Sequence, residues 1–166
     1  MTAQIGENLS YEGSDVVMCN EPLNSYFELS GIDPGFQVSC TALWRGYVGS
    51  WEIRDGRLYL TGLDGTLTDG SPATVATFFP DYPDRVFAHW YSGTLRVPQG
   101  KLLDYVNGGY GSTYEDDLLL SIEKGVVTGR DVRHNGVSDD PDGIEGYGIG
   151  GMTIFSNEAR NQGEGT

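Results

Sequence analysis

Five carboxylates lie in one short stretch, "DVRHNGVSDDPDGIE" (residues 131–145), and four of them crowd its second half. Asp139, Asp140, Asp142 and Glu145 all lie there, with His134 just upstream. Carboxylate oxygens suit a hard divalent cation such as calcium. A bound cation lowers the pKa of its water, so a nucleophile needs no Ser or Cys, and His134 would serve as base. These residues sketch a metal-assisted hydrolase. The alternating acidic spacing of an EF-hand loop is missing, however, and a solvated acidic loop is the competing reading.

A second stretch, "TGLDGTLTDG" (61–70), resembles the first motif of the haloacid-dehalogenase phosphatases. Asp64 matches that motif's acid/base, but the nucleophile's place is taken by Gly62, which has no side chain. Covalent phosphoryl transfer cannot dispense with its nucleophile. The expectation is therefore a hairpin turn at Asp64-Gly65, since Asp and Gly tolerate the positive φ of a type I′ turn.

His89 lies in "FAHWYS" beside Trp90 and Tyr91, and histidine is the usual general base. Ser92 does not converge with it on a regular strand, so nucleophilic catalysis is not expected. "NGGYGSTYEDD" (107–117) carries Tyr110 and Tyr114 among glycines, lacks the lysine of a phosphate loop, and reads as a mobile recognition loop. "GYGIGG" (146–151) reads as a loop too, because no strand–helix context supports a dinucleotide fingerprint. Candidate binding residues are Tyr110, Tyr114, Trp90, Tyr91 and His89; no cofactor is expected.

Strands and turns must position these groups. The 166 residues include 25 Gly and 10 Tyr, a composition that favours strands and tight turns. "NEPLNSYFELSG" (20–31) is the one clear helix: Asn20 as cap, Pro22 in the first turn, Leu23, Tyr26 and Phe27 on one face, Gly31 as stop. From residue 41 the pattern alternates with period two. Trp51 and Ile53 fall on one face of an outgoing strand and Leu58 and Leu60 on one face of the return, about a turn at Asp55-Gly56, with a later hairpin turning near Lys124-Gly125. "PATVATFF" and residues 84–97 read as strands, and 98–117 as a long connection with a helical turn near 102–106. The fold expected is mainly β: an antiparallel meander forming a barrel or sandwich, with one short helix near residues 20–30. Residues 1–14 read as a polar lead-in, 1–155 as a single β-rich domain, and 156–166 as a disordered tail.

Charge bounds the partners. With 24 acidic against 10 basic residues the net charge is −14, which repels nucleic-acid phosphates and anionic membranes. It attracts basic proteins. The start of the chain shows neither the basic nor the apolar region of a signal peptide, so the expected compartment is the cytoplasm. Cys19 and Cys40 are then reduced thiols, with a disulfide left open for an exported protein. The leading functional expectation is a non-enzymatic acidic protein engaging a basic protein partner, like an inhibitor or immunity factor. The alternative is a small-molecule-binding β barrel, followed by the metal-assisted hydrolase.

The run from "YVGSWEIRDGRLYL" through "VFAHWYSGTLRVPQGKLLDYV" to "GYGSTYEDDLLLSIEKGVV" resembles a family of small bacterial all-β proteins, over about residues 41–128. The resemblance implies shared architecture and attaches no activity or site.

Overall fold

Three two-residue turns shape the sheet. Glu12-Gly13, Asp55-Gly56 and Lys124-Gly125 each place both central residues at positive φ, the signature of a type I′ hairpin. The computed structural model describes residues 3–143 and 145–147. In chain order its elements are β1 (Glu7–Tyr11), β2 (Ser14–Met18), α1 (Pro22–Ser30), β3 (Tyr47–Arg54), β4 (Arg57–Thr66) and β5 (Pro72–Ala73). Then come α2 (Val75–Phe78), β6 (Val86–Phe87), β7 (Gly93–Asp104), β8 (Thr113–Glu123) and β9 (Val126–His134). The expected tail, 156–166, lies outside the described residues.

The protein is mainly β, but its strands form one mixed sheet in the order β2-β1-β3-β4-β9-β8-β7, with β5 and β6 paired to β4. Two expectations are corrected here. The meander is not wholly antiparallel, because β3 pairs with β1 in parallel, Leu9 opposite Trp51. A parallel neighbour requires a crossover of about a dozen residues or more, and α1 with its flanking segments supplies one. Nor does the sheet close into a barrel or divide into a sandwich. Between the end strands β2 and β7 there is no ladder: Cys19 N–H donates to Arg96 O (2.8 Å), and the Asn20 side chain bonds Thr94 O and Arg96 N–H.

That use of Asn20 also removes it as the helix cap. Glu21 occupies the N-cap of α1 and makes no side-chain cap bond. The rest of α1 follows the sequence reading: Pro22, Leu23 and Phe27 are buried, and Gly31 ends the helix at φ 71°. Leu23 and Phe27 fill the space the sheet curves around, packing with Leu9, Tyr47, Trp51, Leu58 and Leu60. The alternation of Trp51 on β3 with Leu58 and Leu60 on β4 places all three on the inner face, as the period-two pattern requires.

Other local expectations fail for identifiable reasons. Asp64 and Gly65 do not turn; they lie in β4 opposite Val48 and Tyr47. Gly65 is there for close packing, since a Cβ would stand 3.0 Å from both Gly46 O and Tyr47 Cβ. The chain turns instead at 67–71, where Leu67 N–H reaches Ser71 O and Asp69 accepts from Ser71 N–H. In "PATVATFF" only Pro72–Ala73 pairs, because Thr77 Oγ1 accepts the Thr74 N–H and starts α2. The strand foreseen at 84–97 is broken into β6 and β7 by a turn at 88–92, and β7 runs on to Asp104 through the segment expected to be helical. Within the expected polar lead-in, Glu7–Tyr11 forms β1, the first arm of the hairpin with β2. Cys19 is buried and Cys40 exposed, both as free thiols; burial pushes the Cys19 thiol up to about 12. No helix among the described residues is long and apolar enough to cross a membrane.

Candidate functional site

Among the described residues two carboxylates are buried, and both are held by hydrogen bonds. Glu7 on β1 is 0% exposed and accepts from Arg45 Nη2 (2.7 Å), Arg45 Nε (3.1 Å), Gly49 N–H (2.8 Å) and Trp51 Nε1 (2.9 Å). Arg45 also donates to Ile5 O and reaches Glu21, while Tyr110 Oη donates to Glu21 Oε2 at 2.6 Å. Asp117 on β8 receives Arg96 Nε (2.9 Å), Arg133 Nη2 and Asn135 Nδ2. With both oxygens of each carboxylate bonded from within, these networks bind the fold together. Gly49→Ala tests the first: a Cβ would collide with Glu7 Oε1 and stand 2.7 Å from Trp51 Nε1. Urea unfolding of that variant is expected to show a loss of about 2 kcal/mol.

Tyr110 and Tyr114 belong to this framework rather than to a mobile loop. Arg96 clamps the 105–112 segment by donating to Tyr110 O and Ser112 O, both at 2.7 Å. Burial holds the Tyr110 phenol well above the ordinary tyrosine range. Tyr114 is 1% exposed and packs with Cys19 and Tyr147. Tyr91 is a core residue on the inner face.

The acidic segment does not assemble a centre. Asp139, Asp140, Asp142 and Glu145 are all exposed. Asp140 Oδ1 accepts from Asp142 N–H, and Lys101 Nζ donates to Asp140 O, which shapes a turn. His134 turns away from them to pair with Asp116 through Nδ1. Among the described residues, no three His, Cys, Asp or Glu side chains gather closely enough to hold a metal ion.

His89 reaches a concave surface. Tyr26 from α1, Phe79 and Tyr82 from the segment after α2, Val86 and Phe87 of β6, and His89 line a groove of about 410 Å³. Trp90 braces it: its ring lies 5.0 Å from Tyr26 and stacks on Phe79 at 5.7 Å, with Nε1 donating to Pro22 O. Sequence reasoning missed most of this wall. The available signal was "FFPDYPDRVF" (78–87), which sets four aromatics around two prolines.

Beside the groove, the outer face of β4 and β6 carries alternating cations and rings. Tyr59 is opposite Phe87 in register, with centroids 5.8 Å apart. Arg57 lies over Phe87 at 5.8 Å and Arg85 over Tyr59 at 4.6 Å. Arg54 pairs with Arg57 to close the β3–β4 hairpin. Among the described residues, none of these three arginines has a carboxylate within ion-pair distance, unlike Arg45, Arg96 and Arg133. No protein-family model, curated protein or solved structure matches the chain.

Proposed function

We propose that the protein is a non-enzymatic binding domain whose acidic surface engages a basic protein partner, in the manner of an inhibitor or immunity factor. One observation carries the reading. Among the described residues, the carboxylates that form ion pairs are Glu7, Glu21, Asp116 and Asp117. Exposed acids such as Glu12, Asp15, Asp81, Asp84 and Glu123 are left with their charge uncompensated. Such a surface speeds encounter with a cationic partner and disfavours anionic ones. Immobilised protein should therefore retain a basic protein at low salt and release it at high salt, because the attraction is screened. Retention only of acidic or salt-insensitive proteins counts against the reading.

A second reading, small-molecule binding, is favoured by the groove. Its volume falls within the range of about 300–1,000 Å³ usual for ligand sites. The location differs from the barrel interior first expected: that space is filled by Leu23, Phe27 and Trp51, and the groove lies between α1, the segment after α2, and β6.

A further inference from the structure

We propose that the groove beside β6 binds a small planar aromatic anion, its ring set among Tyr26, Phe79, Tyr82 and Val86 and its charge held by Arg57 and Arg85. The inference rests on the small-molecule reading and supplies its chemical class. Tyr26, Phe79 and Tyr82 offer ring surface, and Tyr82 is 61% exposed, open to an incoming partner. Flat rings prefer flat ligands, because offset stacking and edge contacts add to apolar burial.

Charge decides the sign of the ligand. In a protein of net −14, Arg54, Arg57 and Arg85 are concentrated on one face without carboxylate partners among the described residues. A guanidinium stacked on a ring keeps its N–H edges free, and those edges match a carboxylate or phosphate in bidentate geometry. Phe87 both lines the groove and carries Arg57 at 5.8 Å, so an anion emerging at that end meets Arg57 first. Carboxylates also stand near these groups in the chain: Asp81 precedes Tyr82 and Asp84 precedes Arg85, and both are exposed. Glu52, opposite Tyr59 in register, is a carboxylate the anion must pass on the arginine face. The overall negative charge keeps the ligand small, since repulsion from the remaining surface grows with each added charge.

Calorimetry with 2-naphthoate against the neutral 2-naphthamide tests the proposal. Naphthoate is expected to bind about tenfold more tightly, the gain of charge-assisted hydrogen bonds over neutral ones. The Arg57→Gln/Arg85→Gln double variant should lose that preference while still binding naphthamide, and Tyr82→Ala should weaken both. All three side chains are exposed, so each variant keeps the core intact. A parallel preference for AMP over adenosine identifies phosphate as an accepted anion; preference for naphthoate alone identifies carboxylate. Equal binding of naphthoate and naphthamide, or a preference untouched by the double variant, overturns the anion assignment and leaves the groove a neutral apolar site. No binding of any aromatic probe overturns the groove as a ligand site altogether.

Discussion

Replacing Arg45 by methionine is expected to cost about 3–5 kcal/mol in urea unfolding at neutral pH, the usual consequence of leaving a buried charge without its partner. Glu7 would keep the Gly49 N–H and Trp51 Nε1 bonds but lose both guanidinium contacts. Burial already holds the Glu7 carboxyl above its ordinary value even with Arg45 opposing it. Without Arg45 that displacement grows. A carboxyl raised by folding contributes stability below its unfolded value of about 4.3 and loses it as pH rises through the folded value. The penalty should therefore be smallest in acid and increase towards neutrality. Pairing Arg45→Met with Glu7→Gln removes the orphaned charge and should restore most of the loss. If Arg45→Met unfolds within about 1 kcal/mol of the parent at neutral pH, the network does not hold the fold as described.

Asp117→Asn is expected to be the next most costly change, at about 3 kcal/mol, because the buried carboxylate that answers Arg96 is lost; Arg133, 57% exposed, turns to water at smaller cost. Burial raises the Asp117 carboxyl, but the hydrogen bonds from Arg96, Arg133 and Asn135 outweigh it and hold the group below the usual carboxylate range. The linkage has the opposite sign to that of Glu7. A depressed carboxyl contributes stability above its unfolded value of about 3.9, and that contribution disappears as pH falls through the folded value. The gap in thermal midpoint between the parent and Asp117→Asn should thus be full near pH 7 and close progressively below about pH 4. A gap that stays constant across that range would mean that the loss comes from packing rather than charge. The 105–112 segment gives a second check: Arg96 clamps it, so its amides should exchange faster in the variant.

Local order was decided by the sequence itself. The helix at Pro22–Ser30 follows from its i, i+3, i+4 apolar positions, its early proline and its terminal glycine, all read within one short window. The hairpins at Asp55-Gly56 and Lys124-Gly125 follow from turn chemistry flanked by period-two strands. Predominance of strands follows from the same alternation, and the acidic surface from composition alone. Tertiary structure decided what depends on distant partners. Glu7 looks like a solvated residue until Arg45, 38 positions on, closes over it. The same carboxylate identity at Asp139 and Asp140 stays in solvent, because no cation is brought to bear on their side chains among the described residues. Asp64-Gly65 carries a turn's residues yet lies in a strand, since the glycine is needed where Gly46 and Tyr47 press close. The parallel union of β1 with β3 and the open seam between β2 and β7 are choices of strand edge, to which side-chain periodicity is indifferent. The groove is of the same kind: Tyr26, Phe79 to Tyr82 and Val86 to His89 come from three separate segments, and only packing of the chain across α1 sets their rings around a common space.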